Sequence, residues 1–236
     1  MATYNGARFL KQQIDSIVMQ LDQTDELVVV DDASTDDTWA LLCDIQDQRI
    51  RLFRNDKNRG VASTFERAVS YATGDYIFLS DQDDVWKSTK ILLVMQAFRE
   101  DPKANVVVSD AAFIDECGLP LPGSYYAKRG KFRDSLLANL FRCKFLGCTM
   151  AFRAELLRNA LPFPRSGYVL HDIWLGTVNR VSGGKTLFIS APLVLYRRHD
   201  FNVTGNHKLG FSRQLFSRGH LLKSAAVLWA RERFGK

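Results

Sequence analysis

The sequence lacks any apolar run near the roughly 18 residues that a membrane-spanning helix needs. Lys11, Gln12, Gln13 and Asp15 interrupt the stretch where a signal peptide would carry its apolar core, so the default compartment is the cytoplasm. Cysteine is sparse, and Cys43, Cys117, Cys143 and Cys148 show no Cys-x-x-Cys spacing. That pattern excludes a structural zinc framework and points to reduced, mostly buried thiols. Glycine-rich phosphate loops are missing too. Gly184-Lys185-Thr186 looks like the end of a P-loop, but the leading glycine would fall at Asn179 and a strand-like segment follows, so it reads as a turn. There is no Rossmann Gly-x-Gly-x-x-Gly fingerprint, internal repeat or low-complexity linker.

What is present bounds the answer further. With 236 residues, 46% of them apolar, the chain can bury a sizeable core as one domain or as one domain with a tail. The net charge of +6 hides an asymmetry: residues 1–100 carry 11 Lys+Arg against 17 Asp+Glu, and residues 101–236 carry 21 against 9. An acidic first part suits a metal and a nucleotide, and a basic second part suits an anionic partner or surface, although solvated lysines and arginines give the same totals.

The chain is organised around Tyr76–Trp86, an apolar run that ends in Asp81, Asp83 and Asp84. Such a run, bounded by Gly74 and a charged cluster, predicts a buried strand with its carboxylates at the carboxyl end, where open α/β sheets bind ligands. Three carboxylates within four residues repel one another and are easiest to hold in water or around a hard cation. An EF-hand is excluded, because Val85 takes a ligand position and Trp86 the place of the turn glycine.

Along the chain, Leu10, Ile14, Ile17, Val18 and Leu21 recur at helical spacing. Leu27–Asp32 reads as a strand buried on both faces, and Ser34 or Thr35 is placed to cap the helix carrying Trp39, Leu42 and Ile45. Ile50–Arg54 predicts a strand, Val61–Ala72 a helix ended by Gly74, Thr89–Arg99 a helix capped by Ser88, and Val106–Asp110 another strand. Strands alternating with helices imply a largely parallel, doubly wound sheet through about residue 110. Beyond it, Leu119–Gly130 reads as a mobile loop, followed by helices over Asp134–Phe141, Ala154–Ala160 and Asp172–Val181 and strands over Cys148–Phe152 and Leu187–Ser190. From Leu209 to Lys236, apolar residues alternate with Arg213, Arg218, Lys223, Arg231, Arg233 and Lys236 against the single acid Glu232. This predicts a basic amphipathic helix or helix pair, broken near Gly219, that either packs on the domain or lies on an anionic membrane surface.

Ala2-Thr3-Tyr4-Asn5-Gly6, Val30-Asp31-Asp32-Ala33-Ser34-Thr35-Asp36-Asp37-Thr38, Asn58-Arg59-Gly60, Ser80–Trp86 and His171-Asp172-Ile173-Trp174 together resemble the family 2 glycosyltransferases, in that family's order and over roughly residues 1–205. The Asp-Gln-Asp-Asp-Val-Trp wording, with Tyr196-Arg197-Arg198-His199 and Asn202-Val203-Thr204-Gly205, looks most like bacterial rhamnosyltransferases. The resemblance implies an α/β fold of GT-A type: a doubly wound, mostly parallel sheet, its first central strand truncated because only Met1 precedes Ala2, and a C-terminal helical tail. It divides the chain into a nucleotide-sugar-binding half (1–110), an acceptor-binding and catalytic half of the same domain (111–205) and the tail (206–236).

It also implies roles. Thr3 and Tyr4 border the nucleobase, Asp32 accepts from the base N–H, and Arg59 or its backbone completes that pocket. Asp81 approaches the ribose, Asp83 and His199 hold Mg²⁺ or Mn²⁺ on the diphosphate, and Asp172 is the general base of one inverting displacement. The implied donor is a nucleotide sugar, such as dTDP-rhamnose, and the acceptor is a saccharide or lipid-linked saccharide of a bacterial surface polysaccharide. Nucleic acid is not among the expected partners, and the enzyme is expected in the cytoplasm or peripheral on the inner face of the membrane. Two competing readings are a sugar nucleotidyltransferase, whose glycine-rich basic loop Asn5-Gly6-Ala7-Arg8 matches poorly, and a chain that binds nucleotide without turnover.

Overall fold

The β-branched run at Leu27 forms the middle of the first sheet. In the computed structural model, which describes residues 1–130, 132, 135, 145–165, 169–200 and 211–234, β1 (Ala2–Thr3), β2 (Leu27–Asp31) and β3 (Ile50–Arg54) pair in parallel in the order β1-β2-β3. Ala2 stands opposite Val30, and Leu27 opposite Ile50. All five residues of β2 are buried, as a strand covered on both faces requires. Helices α1 (Ala7–Val18), α2 (Thr38–Cys43) and α3 (Val61–Tyr71) connect these strands and lead out of β3. The predicted stripes go inward: Leu10, Ile14 and Ile17 of α1 and Phe65, Ala68 and Val69 of α3 are buried.

The second sheet is mixed. It comprises β4 (Tyr76–Phe78), β5 (Val85–Trp86), β6 (Ala104–Ile114), β7 (Pro120–Ser124), β8 (Met150–Arg153) and β9 (Lys185–Arg197), ordered β4-β8-β6-β9-β5 with β7 on β6. β6 and β9 run parallel, while β8 runs against both β4 and β6. Helix α4 (Lys90–Glu100) joins β5 to β6 in sequence. α5 (Tyr125–Arg129), α6 (Leu157–Ala160), α7 (His171–Val181) and α8 (Phe211–Phe234) complete the order. The predicted central strand is therefore two short ones, with the carboxylate loop between them and β5 held by β9.

Several local expectations are corrected. Leu119–Gly130 is not a loop: Pro120 begins β7, and Ser124 caps α5 by accepting from the Ala127 N–H at 3.3 Å. Proline is tolerated at the first residue of a strand because no donor is needed there. Ser34 does not cap α2, since its hydroxyl is drawn to Asp31, and Asp36 accepts from the Thr38 N–H instead. Thr89, not Ser88, precedes α4, and Ala72 ends α3 two residues before Gly74. The strands at Ala104 and Lys185 are longer than predicted because they pair with each other along most of their length. α8 continues through Gly219 as one helix of 24 residues. Cys148 is buried, but Cys43 and Cys117 are exposed. The helix expected over Asp134–Phe141 lies almost entirely outside the described residues.

β1 is two residues long. A cavity of about 1180 Å³ is lined from both sheets, by Leu27 and Val28 on one side and Ile77 and Leu79 on the other, with Phe65 and Trp86 also in its wall. The Met1 α-amino group is buried there and donates to the Val28 carbonyl at 2.7 Å; burial lowers its pKa to about 5.

Candidate active site

The first half of the site is built on the carboxyl ends of β1 and β2. Asn5, in the left-handed region at φ 48°, turns the chain from β1 into α1. Its amide oxygen accepts from the Thr35 N–H at 2.8 Å, while the Gly6 N–H donates to the Thr38 hydroxyl at 2.8 Å. The Asp31–Thr38 segment thus satisfies donors at the start of α1 that the helix itself leaves unpaired. Asp31 is fully buried and accepts from Thr3 Oγ1 and from the Ser34 N–H, with Arg54 Nε at 3.2 Å.

Asp32 is buried as well. Its Oδ1 accepts from Asn55 Nδ2 at 2.6 Å and the Arg59 N–H at 2.8 Å, and its Oδ2 from the Gly60 N–H at 2.9 Å. A carboxylate offers about four acceptor sites, so one remains for a further donor. Gly60 sits at φ 85°, which lets the backbone turn toward this carboxylate. The Arg59 guanidinium is half-exposed and paired with Asp56, so the backbone of Arg59, more than its side chain, belongs to the pocket. Thr3 is buried with its hydroxyl turned to Asp31, whereas Tyr4 is exposed at the rim.

Between β4 and β5 the chain places Asp81, Gln82, Asp83 and Asp84 in one loop. Gln82 grips the first loop with both ends of its amide: Oε1 accepts from the Tyr4 N–H at 2.7 Å and Nε2 donates to the Tyr4 carbonyl at 2.9 Å. A side chain at Gly6 would collide with that amide, since a Cβ there would lie 2.2 Å from it. Asp83 meets His199 across 116 positions of sequence, with Oδ2 and Nε2 2.7 Å apart. Both side chains are largely buried, and Phe9 covers the imidazole at 5.2 Å between ring centres. Arg197, fully buried, donates from Nε to the Asp83 carbonyl and from Nη2 to Gln12, holding the loop from below.

Desolvation and the neighbouring Asp83 and Asp172 push Asp81 up to about 7. Burial raises Asp84 well above the usual carboxylate range, with Asp83 and Asp81 adding to it. The counter-charge is Lys90, buried under the Trp86 ring at 3.7 Å and donating to the Cys148 carbonyl; desolvation lowers its pKa to about 7.

Asp172 lies in the first turn of α7, buried, where its carboxylate accepts from the Ile173 N–H at 2.7 Å and from the Gly147 N–H. Burial raises it to about 6, against those two stabilising donors. Its charge is among those that raise Asp81. His171, just before it, stacks on Phe65 at 3.8 Å and is held neutral by burial, with a pKa of about 3, so it packs instead of titrating.

The structure thus gathers Asp81, Asp83 and His199 on one side, joined through Gln82 to the Tyr4–Asp32–Arg59 side, while the charge of Asp172 acts on Asp81. A carboxylate oxygen beside an imidazole nitrogen, in a loop crowded with like charge, is a donor set that suits a divalent cation. Asp81, Asp84 and Cys148 also lie close together. That set suits Mg²⁺ or Mn²⁺ poorly, because burial keeps the thiol protonated and Lys90 stands beside it. Gln82, Arg197 and Lys90 escaped the sequence reading as working residues, although the first two fall inside motifs already singled out.

The family model for glycosyl transferase family 2 matches residues 1–160. The chain belongs to glycosyltransferase family 2. A UDP-Glc:alpha-D-GlcNAc-diphosphoundecaprenol beta-1,3-glucosyltransferase, WfaP of Escherichia coli, is 36% identical over 96% of this chain and 85% of its own length. The dTDP-rhamnosyl transferase RfbG of Shigella flexneri is 27% identical over 97% of this chain and 84% of its own. Among solved structures, S. aureus TarS in complex with UDP-GlcNAc superposes with a TM-score of 0.73 at 18% identity, covering 96% of this chain and 64% of that one. The architecture described above is accordingly the GT-A glycosyltransferase fold.

Proposed function

We propose that this family 2 glycosyltransferase moves a hexose from a pyrimidine nucleoside diphosphate sugar to a lipid-linked saccharide, with inversion and with Mg²⁺ or Mn²⁺ bound at Asp83 and His199. The observation that carries this reading is the contact of Asp83 with His199, which brings the two implied metal ligands together from β4–β5 and from the end of β9. The cation supplies charge stabilisation for the departing diphosphate. Asp32, with one acceptor site left, takes the N–H of the uracil or thymine ring, and the loop at Tyr4 lies along its edge. Asp81 faces the ribose.

Asp172 removes the proton from the acceptor hydroxyl. The freed oxygen attacks the anomeric carbon as the bond to the diphosphate breaks, and the nucleoside diphosphate leaves with the bonding electrons. A base with a pKa near the operating pH combines availability with driving force and contributes about 10²- to 10⁴-fold in rate. The carboxylate of Asp172, raised to about 6, meets that condition.

The identity to WfaP supports UDP-glucose as donor and a diphosphate-linked polyisoprenoid saccharide as acceptor, and a lipid-linked acceptor in turn supports work at a membrane surface. The Asp-Gln-Asp-Asp-Val-Trp wording and the relative RfbG support dTDP-rhamnose as the second reading. A thermal-shift panel with Mn²⁺ separates them. A ligand bound only by the folded state at about 100 times its Kd stabilises by roughly 2.7 kcal/mol. Uridine diphosphate giving the largest shift supports the glucose reading, thymidine diphosphate giving it supports rhamnose, and no shift with either rejects the nucleotide-sugar function.

A further inference from the structure

The last helix has two faces that differ in kind. Leu221, Ala225 and Leu228, at spacings of four and three, are buried on the domain beside α7, where Trp174 and Val178 join the same core. Other described residues of the helix are exposed and include large apolar groups: Phe216 is 63% exposed, Leu222 51%, Trp229 48% and Val227 44%. At 3.6 residues per turn they fall into two adjacent rows. One holds Phe216, Lys223 and Val227, and the other Leu222, Trp229 and Arg233; Lys223, Arg231 and Arg233 are exposed among them.

An outward face with both apolar groups and cations is unusual for a surface that meets only water. A protein partner would account for the apolar groups, but interface cores are depleted of charge. The charge on this face is of one sign, because Glu232 is the single acid from Leu209 to Lys236. That combination matches the boundary of an anionic bilayer, where apolar side chains enter the acyl region and cations stay with the head groups. The helix is too polar to cross: no helix among the described residues is long and apolar enough to span a membrane.

We infer that the outward face of α8, through Phe216, Leu222, Lys223, Val227, Trp229 and Arg233, is a docking surface for an anionic lipid bilayer on which the helix lies flat. The inference rests on the lipid-linked acceptor reading for its purpose, but its test is independent of turnover. The full chain is floated with vesicles of phosphatidylglycerol and phosphatidylcholine, and with phosphatidylcholine alone, at low and high salt. Recovery with the anionic vesicles alone, falling as salt rises, is the expected result. Lys223→Gln, Arg231→Gln and Arg233→Gln together should lower partitioning by about two orders of magnitude. Leu222→Ser with Val227→Ser should weaken it with the salt dependence retained.

Both variants alter exposed side chains, so melting temperature and uridine diphosphate binding should stay at wild-type values. Equal recovery of the wild type and the charge variant overturns the inference. So does a wild type that floats with neither vesicle. A concentration-dependent dimer that Leu222→Ser with Val227→Ser dissolves, without vesicle binding, assigns the face to a second copy and also overturns it. A chain that floats as expected but turns over no nucleotide sugar leaves the docking surface standing and defeats the transferase reading alone.

Discussion

Asp172 combines a stability penalty with the proposed task of general base, and the two separate experimentally. Its carboxyl titrates near 3.8 in an unfolded chain and near 6 when buried. The folded state therefore holds the proton more tightly. The stability this contributes is fully present below pH 3.8 and is lost as pH rises through about 6. Ionised at pH 8, the group costs the fold roughly 3 kcal/mol. Asp172→Asn should consequently melt higher than the wild type at pH 8, with the difference vanishing toward pH 4, while transfer falls by about 10²- to 10⁴-fold. The wild-type rate should rise through pH 6 from the acid side. A variant with wild-type turnover, or one that melts lower at pH 8, removes Asp172 from the role of base. At this scale the motifs singled out Asp32, Asp83 and Asp172, and the structure gives each a defined set of partners. Gln82, Arg197 and Lys90 were not legible in the sequence, because each works through a contact 58 to 114 positions away that no local pattern encodes.

Among the elements, periodicity located α1, α3 and α4, since each buries one stripe, whereas α7 is buried nearly all round. Periodicity failed where pairing decides structure. Pro120–Ser124 has the composition of a loop, yet it becomes β7 because β6 offers it an edge and Asp110 ties its end. That aspartate accepts from Ser124 Oγ at 2.6 Å and from the Tyr126 N–H at 3.0 Å. Asp110→Ala strands a buried N–H and should destabilise the chain by roughly 1–3 kcal/mol. Hydrogen exchange should quicken at Ser124–Arg129 before it does in β6; exchange unchanged there means that β7 and α5 stand without this anchor.

On the scale of the whole molecule, the charge asymmetry has a spatial meaning that composition alone could not assign. The acidic first hundred residues contribute Asp32, Asp81 and Asp83, and the basic remainder returns His199 and Arg197 to them through β9. Antiparallel pairing of β5 with β9 brings the end of β9 alongside the carboxylate loop. The order of motifs implied that meeting, but only the sheet topology shows the path.

The central claim is that Asp83 and His199 hold a cation on which transfer from a nucleotide sugar depends. It is tested most directly by the release of uridine diphosphate from UDP-glucose, in the presence of a diphosphate-linked lipid saccharide, by the wild type and Asp83→Asn. Each is assayed with Mn²⁺ and with a chelator. The account predicts turnover by the wild type with Mn²⁺ alone, a β-linked product from the α-linked donor, and loss of that turnover in a folded Asp83→Asn. Turnover that survives both the chelator and the substitution would contradict it.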